Sequence, residues 1–349
     1  MTYDEFLRKL PKAELHIHFG GSVRLETLHA LAKSNGIPLP AGREDSLYDY
    51  ADFIDFLNTF DFVSSCILTR DDFARVVYES LEDGVVSGNL RYREMFFNPS
   101  VHLLAGVDPW HMMSGLVEGI KAAEQDFKVR CQLIPAVHRG HTPEVGQEAI
   151  ELMVADYRES IVGMGSDSGA TEDEVIAPFA GIYDFARKSG LRTTVHAAES
   201  LNTSENFTLA MDVLRCDRID HGYDILRDHG MVQRAVDTGI CFTCCPSAAA
   251  AVLGWPDRSK QPMREMMERG VNVTINTDDP TMFKTDVGRE FADTCIAMDT
   301  GPDRAIDLCL AAVDAAWLDE TDKKVLRADF GDEIRTLRTS YEQTPGFAT

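Results

Sequence analysis

Two histidines separated by a single residue are the first chemically suggestive feature of this chain. His16 and His18 lie in Lys12-Ala-Glu-Leu-His-Ile-His-Phe-Gly-Gly-Ser22, which alternates through Phe19 as a strand does. Residues i and i+2 of a strand share a face, so both imidazoles emerge side by side. Gly20 and Gly21 break the strand, and Ser22 is placed to cap a helix starting near Val23. Such a pair can hold a metal ion, or it can be two histidines hydrogen-bonded at a strand end. Further groups of the same kind follow. His196 ends another apolar run and precedes Ala-Ala-Glu199, and His221 ends a third in Arg218-Ile-Asp-His-Gly222. Asp278 and Asp279 follow a fourth, in Thr274-Ile-Asn-Thr-Asp-Asp-Pro280. Three neutral imidazoles and one carboxylate suit Zn²⁺ and leave a position for water, whose pKa the metal lowers. Another imidazole can take the water's proton, and a protonated carboxyl group can supply one to a ring nitrogen. This is equipment for hydrolysing an electron-poor C–N bond.

These groups can meet only if the elements carrying them end at one place. Strands are expected over Ala13–His18, Leu90–Phe97, Val129–Val137, Ile161–Gly165, Arg192–His196, Arg218–His221, Ile240–Cys244 and Val271–Asn276. Helical patterns lie between them, including Pro109–Phe127, Pro143–Arg158, Asp173–Lys188 and Asp224–Thr238. Alternation of this kind argues for a parallel sheet, and eight strands close a barrel whose working groups gather at the strands' carboxyl ends. His16 and His18, His196, His221 and the Asp278–Asp279 pair all fall at such ends. The expected fold is α/β: a (β/α)8 TIM-type barrel with additional helices, residues 1–349 forming one domain. A helical insertion near residues 45–82 carries Phe53, Phe56, Leu57, Phe60, Phe62 and Val63, too many apolar groups for a solvated face. It is expected to pack across one barrel end and supply part of a pocket wall. Closing helices are expected over Thr285–Met298, Ala305–Leu318 and Lys323–Tyr341, those of the C-terminal region spanning about 303–343.

Bulk properties narrow the class. The 34 basic and 57 acidic residues leave a formal charge of −23, which opposes binding to nucleic acid or to an anionic membrane surface. The start of the chain has no signal-peptide pattern, and no apolar run approaches the ~20 residues of a membrane helix. The eight cysteines form no compact framework and read as reduced, mostly buried thiols. A soluble cytoplasmic protein acting on a small molecule is expected. Its oligomeric state is left open.

The four histidine and aspartate blocks resemble the signature blocks of the adenosine/adenine deaminase family of the amidohydrolase superfamily, in family order from residue 12 to 280. Tyr92-Arg-Glu-Met-Phe-Phe-Asn-Pro99, Gly163-Met-Gly-Ser-Asp167 and Arg218-Ile-Asp-His-Gly222 are more similar to the adenine-deaminase branch. The resemblance implies one zinc ion held by His16, His18, His196 and Asp278. It makes Glu199 the proton donor to N1 of a purine and His221 the group that orients and deprotonates the water. Asp279 would bond N7, and Gly169 or Ala170 would meet the purine. The implied reaction is water addition at C6 of a 6-aminopurine, with loss of ammonia. Alternatives are hydrolysis of another cyclic amidine or amide, such as a pterin, or a silent binding protein on the same barrel.

Substrate-side positions depart from the family pattern. Gly20 replaces an acidic residue that reaches the ribose in adenosine deaminases, Ala198 replaces the glycine of His-Ala-Gly-Glu, and Cys245-Pro-Ser-Ala-Ala-Ala-Ala251 replaces Cys-Pro-x-Ser-Asn. These changes point to a modified or differently substituted aminopurine rather than adenosine. Simpler roles remain for several residues: Glu199 as a helix-start carboxylate, Asp279 as a turn cap, His138 and His141 as substrate contacts or solvated loop residues. Phe96, Phe97, Cys244 and Cys245 are expected in the core. With no lysine on the fourth strand for a carboxylated bridge, one metal is favoured over two.

Overall fold

The computed structural model describes residues 1–167, 176–199, 201–251 and 253–343. Its strands are β1 (Lys12–His18), β2 (Leu90–Phe97), β3 (Arg130–His138), β4 (Gly163–Asp167), β5 (Arg192–Thr193), β6 (His196–Ala197), β7 (Arg218–His221), β8 (Cys241–Cys244) and β9 (Asn272–Ile275). All pair in parallel, in the orders β1-β2-β3-β4-β5 and β6-β7-β8-β9. β5 and β6 are two halves of the fifth expected strand, parted at Thr194 and Val195. The ladder continues across the gap: Thr194 N–H donates to Met164 O at 3.0 Å, and Asp220 N–H to Val195 O at 2.9 Å. The ring closes where His18 N–H donates to Asp278 O at 2.8 Å and Asp278 N–H to His16 O at 3.2 Å. The expected barrel is the observed one.

Strands of such a sheet are covered on both faces, and every residue of β1 is buried. Polar residues buried on either face must then be paired. Arg93 Nη2 meets Glu14 Oε2 at 2.6 Å, and Arg218 Nη1 meets Glu94 Oε2 at 2.7 Å. Arg218 also stacks 3.9 Å from the Trp317 ring centroid. Glu14 additionally accepts from Thr277 N–H and Oγ–H at 3.1 and 2.6 Å, which ties the segment before Asp278 to β1.

The helices are α1 (Tyr3–Lys9), α2 (Leu25–Ser34), α3 (Phe53–Ser65), α4 (Arg70–Gly88), α5 (Pro99–Leu104), α6 (Pro109–Phe127), α7 (Pro143–Tyr157), α8 (Ala180–Lys188), α9 (Glu205–Leu209), α10 (His229–Thr238), α11 (Pro246–Ala251), α12 (Pro262–Glu268), α13 (Val287–Ala297), α14 (Pro302–Ala315) and α15 (Glu320–Glu342). Several differ from expectation for local reasons. The insertion near 45–82 is two helices, because a Thr69–Asp72 capping box starts α4 afresh. The Asp224–Thr238 pattern is a 3₁₀ turn followed by α10, whose start is set by the Asp228 carboxylate accepting from Gly230 and Met231 N–H. Ser22 caps no helix: its hydroxyl donates to Phe19 O at 2.8 Å, and α2 starts three residues later. α1, unforeseen, carries a Thr2–Glu5 capping box. Of the Asp173–Lys188 pattern, residues 173–175 lie outside the described residues.

All eight cysteines are free and buried. Cys241 and Cys244 form a C-x-x-C pair, but they sit on a strand, where i and i+3 face opposite sides. Among the described residues, no helix is long and apolar enough to cross a membrane.

Candidate metal centre and active site

His16 and His18 project from the end of β1, as their spacing requires, and His196 and Asp278 join them from β6 and the segment after β9. One ligand atom from each lies within 4.8 Å of the others, and all four residues are buried. His18 Nε2 is 3.3 Å from His16 Nε2, 3.2 Å from His196 Nε2 and 3.1 Å from Asp278 Oδ1. His16 Nε2 is 3.0 Å from the same oxygen. A single N–H on His18 could not serve three acceptors. The opposite ring nitrogens are held from behind, which turns the Nε2 atoms toward one point. His18 Nδ1 lies 3.2 Å from Asp167 Oδ2, and His196 Nδ1 lies 3.2 Å from Asp220 Oδ2. A carboxylate there favours the Nδ1–H tautomer. Three Nε2 atoms and a carboxylate oxygen converge, with edges near the ~3.3 Å that tetrahedral donors about 2.0–2.1 Å from one centre produce. The residues fit a divalent cation.

Backbone geometry sharpens the placement. Ala198, His221 and Asp278 have φ of +51°, +63° and +64°, a left-handed region that non-glycine residues enter at a cost and that recurs at working sites. Gly21 is needed for a different reason: a Cβ there would overlap the Asp279 carboxyl group.

Charge states follow from burial. Burial lowers His196 to about 4 and His221 to about 3, so both are neutral lone-pair donors near pH 7. Burial also opposes ionisation of Asp278, yet His16 and His18 outweigh it and hold that carboxyl well below its ordinary range. Burial and the Asp278 charge together push Asp279 well above it, and burial raises Glu199. Glu199 and Asp279 thus hold a proton more readily than ordinary carboxyl groups, beside a third that ionises more readily. His221 Nε2 lies 3.5 Å from Glu199 Oε1 and 3.9 Å from Asp278 Oδ2.

Over the centre opens a cavity of about 530 Å³, part of it open to solvent. His18, His196, Glu199, His221, Asp278 and Asp279 form its floor, and Phe53, Phe56, Leu57 and Phe60 of α3 form an apolar wall. Phe56 stacks on Phe283 at 4.9 Å, anchoring the wall to the loop after β9. Phe96 is core, as expected, but it packs against the metal-site rings, 5.1 Å from His18 and 5.2 Å from His16. His138 and His141 do not line the cavity. They stack at 4.5 Å, and His141 Nδ1 bonds Ser100 Oγ at 2.9 Å. Of the two residues between them, Arg139 does line it, with Nη1 donating to His196 O at 3.2 Å. Arg139, Asp167 and Asp220 were not singled out from sequence, although Asp167 and Asp220 lie at strand ends within quoted blocks. Gly169 and Ala170 lie outside the described residues.

The adenosine deaminase family profile matches residues 11–332. The chain belongs to the adenosine deaminase family. An adenine deaminase of Rhizobium etli is 31% identical over 91% of this chain and 98% of its own. An amidohydrolase from Burkholderia ambifaria, solved with bound Zn, is 30% identical with a TM-score of 0.89, covering 97% of this chain and 94% of that one. The adenine deaminase of Arthrobacter aurescens is 29% identical with a TM-score of 0.87, covering 93% and 99%. These relatives put the chain on the adenine-deaminase side of the family, among enzymes acting on C–N bonds of cyclic amidines. The cluster is accordingly a candidate site for a divalent metal ion.

Against the family pattern, Gly20 is the departure the structure explains best. A Cβ there would stand 3.0 Å from Phe60 Cζ and 3.0 Å from Ser64 Oγ, so α3 packs closely over Gly20 and crowds any larger side chain. Ala198 is buried in left-handed backbone rather than facing the cavity, and the alanine run after Cys245 forms α11.

Proposed function

We propose that this family member is a mononuclear zinc aminohydrolase converting a 6-aminopurine into its 6-oxo product and ammonia. The observation that carries the reading is the convergence of three imidazole Nε2 atoms and the Asp278 carboxylate, with Glu199, His221 and Asp279 lining the same cavity. His16, His18, His196 and Asp278 hold the zinc, which when bound supplies the Lewis acidity that makes water acidic near neutral pH. His221, neutral at pH 7, accepts the water's proton. Glu199 holds a proton for N1, which makes C6 electrophilic and lets the amino group depart as ammonia. Asp279, kept protonated beside Asp278, donates to N7, which carries only a lone pair. The free thiols suit a reducing, cytoplasmic setting.

The substrate is a purine that brings no ribose to the α3 side: adenine, or an N6- or C2-substituted relative. The apolar wall of Phe53, Phe56, Leu57 and Phe60 suits a flat heterocycle and leaves sugar hydroxyls unpaired. Steady-state ammonia release over adenine, adenosine, substituted aminopurines and pterins, with metal analysis, tests this. Preference for adenosine would overturn the substrate assignment. Bound zinc without turnover on any of them would overturn the enzyme.

A further inference from the structure

Arg139 is a cation in the cavity that the reaction above does not use. It follows β3, where its backbone N–H donates to Asp167 O at 3.0 Å and fixes the start of the side chain. The guanidinium crosses to the end of β6, and Nη1 donates to His196 O at 3.2 Å. That carbonyl is the side chain's single acceptor among the described residues. Its Nε is buried without a partner, and no carboxylate of the described residues forms an ion pair with it. A guanidinium presents five N–H groups in a planar fork. Beside the apolar wall of Phe53, Phe56, Leu57 and Phe60, a charge left so poorly paired costs free energy until an acceptor arrives.

The position of Arg139 says where on a ligand that acceptor belongs. Glu199 lies three residues beyond His196 and lines the same cavity, and the Arg139 charge works against the burial that raises its carboxyl. Arg139 and Glu199 therefore share one side of the floor. On a purine whose N1 meets Glu199, the next ring atom away from C6 is C2. Adenine carries only a C–H there, which leaves the guanidinium unpaired.

Building on the aminopurine reading, we propose that Arg139 is a specificity-determining residue that binds an oxo group on C2, so that the preferred substrate is a 2-oxo-6-aminopurine. The oxygen accepts from the unused N–H groups of Arg139, while N1 keeps the lone pair that Glu199 protonates. Water adds at C6, the bond from C6 to the amino nitrogen breaks, and ammonia leaves a 2,6-dioxopurine. No oxidant or reductant takes part. An amino group on C2 points its own donors at the guanidinium, so 2,6-diaminopurine is disfavoured.

Ammonia release is measured on purines that differ only at C2: 2-oxo-6-aminopurine, adenine and 2,6-diaminopurine. The first is expected to have a kcat/KM roughly tenfold or more above the others. In Arg139→Met the ratio of kcat/KM for 2-oxo-6-aminopurine to that for adenine drops by roughly 30-fold. Equal losses on both substrates would make Arg139 a mere support for His196 and overturn the proposal, as would a parent enzyme that favours adenine or 2,6-diaminopurine. Should circular dichroism show the variant unfolded, calorimetric binding to the parent protein decides. Tighter binding of 2,6-dioxopurine than of 6-oxopurine, by roughly tenfold, supports the contact, and equal affinities refute it. That binding is read without turnover. Selective 2,6-dioxopurine binding by a protein inert toward every purine sinks the hydrolase and leaves the contact standing, whereas deamination of adenine alone does the reverse.

Discussion

Glu199 and Asp278 are both carboxylates of one cavity, yet burial raises the first while imidazoles hold the second ionised. Their environments shift the two in opposite directions, as the proposed roles of proton donor and ligand require, and the separation can be tested. Glu199→Gln is expected to keep its metal while turnover falls by about 10²–10⁴-fold; metal loss in elemental analysis would instead make Glu199 structural. His16→Ala removes one of the four donors, and its metal content should drop; unchanged occupancy would contradict the ligand role. Gly21→Ala places a methyl group against the Asp279 carboxyl, so KM for the purine should rise more than kcat falls, with metal retained. Ala198→Gly relieves a φ of +51° and is expected to stabilise the fold by about 1 kcal/mol, read as a higher Tm. His16 and His18 were legible because strand periodicity alone puts them on one face. Asp167 and Asp220 were not, because a carboxylate behind an imidazole acquires its role from a contact across strands rather than from spacing.

At the scale of elements, the insertion was recognisable by its density of phenylalanines, but its division was settled by Thr69, whose hydroxyl and partner Asp72 begin α4. α5 packs against α4 through His102, whose ring lies edge-on to Phe73 at 4.8 Å. Burial lowers His102 to about 4 from an ordinary 6.5. Between those values the unfolded chain binds the proton and the folded one does not, so stability rises with pH through this window and is lost as pH falls. The difference amounts to about 2 kcal/mol between pH 7 and pH 5 from this group. Urea unfolding at the two pH values should show the gap narrowing by that order in His102→Gln. An unchanged gap would assign the acid sensitivity elsewhere.

Across the whole molecule, the proposed metal centre lies on the seam where the barrel closes. His16 and His18 sit on the first strand, and Asp278, bonded to both their backbones, follows the last. A cation bound there links the chain's two ends and binds only the folded state, so it adds stability by mass action. Removing it by chelation should lower Tm by several degrees, and restoring one equivalent of zinc should recover both Tm and turnover. A Tm indifferent to metal would show that the centre contributes nothing to closure.

By itself the sequence determined the alternation of strands and helices, and with it the barrel. The strand ends were also readable, since hydrophobic period and glycine punctuation are local properties. From them came the six residues His16, His18, His196, His221, Asp278 and Asp279, and the neighbouring Glu199. What only the tertiary structure decided was everything made by approach across the barrel. Arg139 reaches the cavity, α3 shuts the side next to Gly20, and Asp278 turns its second oxygen toward His221. Those relations depend on how elements far apart in the chain are brought within a few ångströms, and no spacing along the polymer encodes them directly.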